Sequence, residues 1–349
     1  MKYKVIGLMS GTSLDGLDIA FCEFRYKPGH WDYSILHAET VPYSEEWFQR
    51  LSGLPGSSAS EYVSADHSFG HLLGKLTREF IEKHSIRADF IASHGHTVFH
   101  QPSRGFTAQI GNGAAIKAET GLPVICDFRS GDVANGGQGA PLVPAGDNLL
   151  FSGYDFCLNL GGFANISYNY QGNRIAFDIC PVNIVLNNIA RKAGQPYDKD
   201  GETAASGRTD AALLDALNGL PYYSETGPKS LGKEWVDEHI FPLLDRSGLN
   251  NEDILSTYVT HIAFQIARQT GNDPKRKLLI TGGGTHNKYL VSLISSHIKP
   301  RLIIPDILTI NYKEALIFAF LGVLHSRKEI NCLRTVTGAR KDDSCGAIY

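Results

Sequence analysis

The chain has 349 residues, with 33 Lys+Arg against 36 Asp+Glu and a formal net charge of −3. This composition excludes disordered and fibrous classes, and the balanced charge provides no field for a polyanion such as nucleic acid. The length exceeds what one hydrophobic core fills, so two lobes are expected.

In chain order, residues 3–9 and 17–24 read as strands separated by the polar, glycine-rich turn Ser10-Gly-Thr-Ser-Leu-Asp-Gly16. A third strand is expected over 32–41. A helix follows over 61–84, where Leu72, Leu73, Leu76, Phe80 and Ile81 recur at helical spacing. Strands are predicted at 89–93, 106–110 and 122–127, with a helix at 112–120. The pattern restarts near residue 155: strand, Gly161-Gly162 turn, strand to 170, strand 174–179, helix 182–193. Strand, glycine turn, strand, strand thus occurs twice, which suggests an internal duplication. The stretch 195–235 is polar with short helices, and helices are expected at 234–245 and 251–270. Strand 277–281 runs into Gly282-Gly-Gly284 and a helix over 286–298, followed by strand 301–304 and a last helix over 312–327.

The six cysteines, at 22, 126, 157, 180, 332 and 345, include no C-x-x-C pair, which fits free thiols in a reducing cytoplasm. The N-terminus reaches Asp15 too soon for a signal peptide, and the apolar stretch Ala315–Leu324 is about half a membrane span.

Glycine, at 36 residues, is the one excess. Three clusters follow strands: Gly11-Thr12-Ser13, Gly161-Gly162 and Gly282-Gly283-Gly284. Lacking Cβ, such turns let backbone N–H groups converge on an anion, and a helix N-terminus after the third would add partial positive charge. Any one of them alone reads first as a tight turn, but the recurrence of three favours phosphate binding. Gly227 to Lys233 has P-loop spacing, but Glu234 stands where Ser or Thr is required.

Asp178 is expected at the end of a strand before a helix. It suits either a general base for phosphoryl transfer or the N-cap of that helix. His94, His96 and His100 are read as structural or substrate-contacting in preference to zinc ligands. Arg129, in Asp127-Phe-Arg129 before Gly136-Gly-Gln-Gly139, can clamp an anion bidentately or form a surface ion pair. Glu314 opens the last helix, where an acid suits the dipole with or without a further function.

These segments resemble the 1,6-anhydro-N-acetylmuramic acid kinases of the actin and hexokinase-like ATPase superfamily. The matching stretches are Met9-Ser-Gly-Thr-Ser-Leu-Asp-Gly-Leu-Asp18, Ser93-His-Gly-His-Thr97, Gly121-Leu-Pro-Val124, Asp127-Phe-Arg129 and Gly136-Gly-Gln-Gly-Ala-Pro-Leu142. They continue with Asn159-Leu-Gly-Gly-Phe-Ala-Asn-Ile166, Tyr197-Asp-Lys-Asp-Gly201, Gly282-Gly-Gly-Thr-His-Asn287, Glu314-Ala and Val336-Thr-Gly-Ala339. The resemblance implies an α/β two-lobe, duplicated ribonuclease H-like fold with a central ATP cleft. The lobes are expected at 1–130 plus 328–349 and at 131–327.

It further implies that water opens the 1,6-anhydro bridge while O6 takes the γ-phosphate of ATP, with Mg2+ present. The product would be N-acetylmuramic acid 6-phosphate, in cell-wall recycling. Asp178 would activate the water. Gly11, Thr12, Ser13, Leu14, Asp15, Gly16, Leu17 and Asp18, with Gly161, Gly162, Gly282, Gly283 and Gly284, would bind ATP. His94, Asp127, Arg129, Asn183 and Glu314 would face the sugar. The expected partner is a small-molecule amino sugar, with neither nucleic acid nor membrane, and a homodimer stays open. Where the family commonly has Phe-Asp-Thr-Gly-Pro-Gly-Asn, this chain has Phe177-Asp-Ile-Cys-Pro-Val-Asn183, which is expected to alter substrate fit. Two alternatives follow: a conventional kinase for another amino sugar, and a catalytically silent ATP-binding sensor.

Overall fold

The computed structural model describes residues 1–11, 14–225 and 229–349. The chain forms two compact units, Met1–Ser152 with Tyr312–Tyr349, and Gly153–Asn311.

In the first unit the strands are β1 (Lys2–Ser10), β2 (Leu17–Lys27), β3 (His30–Val41), β4 (Phe90–Gln101), β5 (Phe106–Ile110) and β6 (Val124–Cys126). They lie in the order β6-β4-β1-β2-β3, with β5 paired to β4 and the C-terminal strand Ala347–Ile348 on the far side of β6. β1 to β3 pair antiparallel, while β1, β4 and β6 run parallel. Side chains alternate between faces along β1. Ile6 and Leu8 join Phe69, Leu73 and Phe80 of helix Ala59–His84 in one core. Between them, Gly7 meets helix Ile307–Ser326 so closely that a Cβ would lie 2.0 Å from the Ala315 carbonyl oxygen. That helix is long and apolar enough to cross a membrane by length and composition, but most of it is buried in the fold. Helix Ala59–His84 starts where Ser58 Oγ accepts from the Glu61 N–H at 3.2 Å, and ends at Ser85 in the left-handed region, φ 51°.

The second unit contains β7 (Phe156–Leu160), β8 (Phe163–Tyr170), β9 (Asn173–Pro181), β10 (Lys277–Thr281) and β11 (Arg301–Ile303), in the order β11-β10-β7-β8-β9. β7 to β9 pair antiparallel, and β7, β10 and β11 run parallel. This order and polarity repeat those of the first sheet, so the duplicated pattern in the sequence is a duplicated topology. Helix Asn251–Thr270 supplies Leu255, Tyr258, Val259, Ile262 and Ile266 to this core.

The boundaries differ from the expected 130/131 and 327/328. Helix Val143–Leu150 belongs to the first unit, where Gly146 lies against Ile317. The segment from Tyr312 onward belongs there too, because Ala315 to Leu324 fill its core. Helices Glu45–Gly53, Val143–Leu150 and Arg334–Thr337 are short, at 9, 8 and 4 residues, and were not expected. None of the six cysteines is in a disulfide.

Candidate active site

In the first unit the expected sugar-facing residues gather around β4. Arg129 donates from Nε to His94 Nε2 at 3.0 Å and from Nη1 to the Gly139 carbonyl at 2.6 Å. It is therefore no surface ion pair. Burial pulls its guanidinium down to about 10, which leaves it charged at neutral pH. His94 is buried, with Nδ1 2.9 Å from the Gly95 carbonyl, so the proton sits on Nδ1 and Nε2 accepts. Burial, then the adjacent Arg129 charge, hold this imidazole well below its usual pKa.

Gly139 is fixed in turn by buried Asp132, whose Oδ2 accepts from the Gly139 N–H at 2.7 Å and whose Oδ1 accepts from Thr337 Oγ1 at 2.8 Å. A Cβ at Gly137 would strike that Oδ2 at 2.2 Å, which accounts for a glycine there. Asp127, exposed at the end of β6 with φ 56°, accepts from the Ser130 N–H at 3.3 Å. Glu314 does not open the helix as expected, since Ile307 does. A break at Tyr312 (φ −117°, ψ 18°) nevertheless places Glu314 in the first turn of the continuing segment. Desolvation raises its carboxyl, opposed by Arg129 and Lys313.

His96 and His100 do not join His94 on a common ligand. β4 runs on through all three, with an irregular register near His96. His96 Nδ1 lies 3.3 Å from Ser10 Oγ, which also accepts from the Tyr43 hydroxyl at 2.8 Å. His100 Nδ1 lies 3.2 Å from Thr107 Oγ1. Among the described residues, no group of three or more His, Cys, Asp or Glu could hold a metal ion.

The β1–β2 turn contains Gly11, Leu14 (φ 59°), Asp15 and Gly16; Thr12 and Ser13 lie outside the described residues. The Leu14 N–H donates to the Gly11 carbonyl at 3.3 Å, and Gly16 abuts the Val41 carbonyl, 2.5 Å from where a Cβ would sit. Leu17 is fully buried and acts as core. Asp18, at the start of β2, accepts from Thr40 Oγ1 at 2.6 Å. Burial pushes its carboxyl up to about 6 against that bond, helped by the negative charges of Asp15 and Glu314.

In the second unit the parallel strands β7 and β10 end side by side, Asn159 opposite Thr281. Ligands in open α/β sheets bind beyond such carboxyl ends. Gly161 and Gly162 turn their carbonyls to the start of helix Asn183–Lys192. Gly162 accepts from the Val182 N–H at 2.7 Å and Gly161 from the Asn183 N–H at 3.2 Å. The Gly161 N–H is itself spent on the Phe163 carbonyl at 3.1 Å. Gly282, φ 86°, and Gly284 pack on Asn159 and Leu160, where Cβ atoms would lie 2.6 and 2.7 Å away. Of Gly282, Gly283 and Gly284, Gly283 alone faces open space, its nearest neighbour being Asn183 Nδ2 at 4.0 Å; Gly162 is open as well. The three glycines do not adjoin a helix N-terminus as expected. A single turn, Gly283–His286, intervenes before Asn287 caps helix Lys288–His297.

Asp178 lies within β9, three residues before its end, opposite Asn165 at an irregularity in register. It is not a helix cap, because Val182 holds that position with no side-chain cap bond. Its Oδ2 accepts from the Leu231 N–H at 2.9 Å and its carbonyl accepts from the Tyr222 hydroxyl at 2.6 Å. Desolvation raises the carboxyl, and the Leu231 bond opposes this. The unusual Ile179, Cys180 and Val182 are at most 2% exposed and pack inside the second core. Their side chains contribute to packing of that core. Sequence reading missed Ser10, Tyr43, Tyr222 and Leu231. Ser10 sits inside a motif already singled out, but nothing in the sequence pairs Tyr222 or Leu231 with Asp178.

The family model described as anhydro-N-acetylmuramic acid kinase matches residues 3–349. The chain belongs to this family. Curated relatives of that description include one from Pseudomonas syringae pv. tomato, 36% identical with all of both chains covered. Another, from Shewanella sp. strain MR-7, is 38% identical over all of this chain and 99% of the relative. The match runs through both units of the fold.

Proposed function

We propose that the chain is an ATP-dependent kinase that hydrolytically opens 1,6-anhydro-N-acetylmuramic acid and phosphorylates it to N-acetylmuramic acid 6-phosphate in murein recycling. The observation that carries this reading is family membership over residues 3–349, with Asp178 half-buried and held by a single N–H bond on one carboxylate oxygen. Its raised carboxyl suits a group that takes a proton. In the reaction Asp178 removes a proton from water, the water oxygen bonds to C1, and the C1–O6 bond breaks. O6 then accepts the γ-phosphoryl group, with ADP leaving.

Gly11 to Gly16, Asp18, Gly162 and Gly283 are assigned to ATP, and Leu17, fully buried, to the core. Gly161, Gly282 and Gly284 support that turn by packing. His94 and Arg129, with Asp127, Asn183 and Glu314, are assigned to the sugar, His94 Nδ1–H being committed to backbone and Arg129 keeping Nη2 for an anionic group. Asp15 and Asp18 fit a magnesium ion accompanying ATP, because burial and mutual repulsion leave Asp18 short of positive charge. That ion would neutralise the β- and γ-phosphates. Cytoplasmic location accords with this substrate.

The test is ADP release with the anhydro sugar against a panel of amino sugars, in water labelled with ¹⁸O. Label at the product's anomeric carbon is expected. Turnover without label would identify a conventional sugar kinase, and no turnover on any sugar would identify an ATP-binding sensor.

A further inference from the structure

We infer that Tyr222 and the backbone of residues 229–231 form a clamp that positions Asp178, with Tyr222 a positioning residue for the reaction. This rests on the reading of Asp178 as the base. Three bonds from one segment converge on one residue. The Tyr222 hydroxyl donates to the Asp178 carbonyl at 2.6 Å, the Asp178 N–H donates to the Lys229 carbonyl at 3.0 Å, and the Leu231 N–H donates to Asp178 Oδ2 at 2.9 Å. Backbone on both sides of the Cα and one carboxylate oxygen are thereby fixed, leaving Oδ1 to face a proton donor.

The clamp is itself braced. Tyr222 is 6% exposed, with Tyr223 and Trp235 rings at 5.7 and 5.3 Å. Lys229 Nζ donates to the Tyr222 carbonyl at 2.6 Å and sits 4.1 Å from its ring centroid. Tyr223 continues to buried His261 at 3.0 Å, which anchors the segment to helix Asn251–Thr270. The β9 irregularity beside Asp178 gives a reason for the brace, since the regular ladder alone does not set this residue's direction. The titratable groups around Asp178 are Tyr222, Tyr223, Glu225 and Lys229 on the clamp side and Cys180 on its own strand.

The experiment compares Tyr222→Phe, Leu231→Pro and Asp178→Asn in the full chain. Tyr222→Phe removes one oxygen and is expected to lower kcat roughly tenfold with sugar KM within about twofold. Leu231→Pro deletes the N–H that lowers the Asp178 carboxyl, so the acid limb of the kcat profile should move to higher pH. If both variants keep wild-type kcat and acid limb while Asp178→Asn is inactive, the clamp has no positioning role. The same conclusion holds if kcat falls only in proportion to folded fraction. If Asp178→Asn keeps its rate, the base reading itself fails.

Discussion

Arg129 donates its Nε hydrogen to Nε2 of His94, and this single bond settles the imidazole's state: neutral, with its proton on Nδ1. A guanidinium donates in a fixed planar fork and a lysine ammonium does not. Arg129→Lys is therefore expected to release both His94 and the Gly139 carbonyl, lowering kcat/KM for the sugar by roughly 100-fold. Steady-state kinetics with a melting curve check this. A loss matched by a fall in Tm would assign Arg129 to folding alone.

Acid should weaken the second unit through His261. Burial holds this imidazole at about 3, far below the unfolded value. The unfolded chain therefore binds the extra proton first, and stability falls as pH drops below about 6.5, by on the order of 2 kcal/mol at pH 5. His94, also depressed by burial, contributes in the same direction. In His261→Gln the urea midpoint should vary less between pH 7 and 5 than in the parent. An unchanged slope would refute the assignment.

Asp18 shows the opposite sign. Its carboxyl, pushed up to about 6, binds a proton in the folded state before the unfolded state does, so this group's contribution declines as pH rises from about 4 to 6. Asp18→Asn should stabilise the ligand-free protein at pH 7 by roughly 1 kcal/mol after screening, while raising KM for ATP with magnesium. Thermal shift and kinetics on one sample measure both. Destabilisation with unchanged KM would mean that Asp18 is structural.

Gly282→Ala and Gly283→Ala should separate packing from contact with nucleotide. At Gly282 a Cβ meets Asn159 and the Leu160 carbonyl oxygen, 2.8 Å away, at positive φ. The expected cost is about 2 kcal/mol or more. At Gly283 a Cβ meets nothing nearer than 4.0 Å, so that variant should fold normally and raise KM for ATP. Equal melting temperatures for the two would contradict the geometry.

Val182→Gly should destabilise by about 2–3 kcal/mol, because Val182 is fully buried among Leu160 and Leu186. It should not shift preference among amino sugars. A changed sugar preference would mean that this stretch reaches substrate after all.

The strand–turn–strand repeats were legible in the sequence because alternation and glycine punctuation are local. So were the long helices: Ala59–His84 repeats apolar residues at helical spacing, and the last helix carries the continuous apolar run Ala315–Leu324. Helix Val143–Leu150 was not, because it is short and begins Val143-Pro144 just after a glycine loop. Asp178 was legible as a candidate. Its neighbours were not, because Tyr222 and Leu231 reach it across 44 and 53 positions of chain. The burial of residues 179–182 was not legible for a related reason: which face a side chain takes beside a register irregularity is settled by tertiary packing.

The first unit is discontinuous in sequence, and this dictates an order of completion. The second unit has all its residues once Asn311 has been made. The first still lacks Ala315 to Leu324 for its core and Ala347–Ile348 for the edge of its sheet beside β6. During synthesis the N-terminal strands must therefore wait, with one face of their sheet uncovered, until the helix carrying Ala315–Leu324 has been made. The part of the protein made first is the last to be finished.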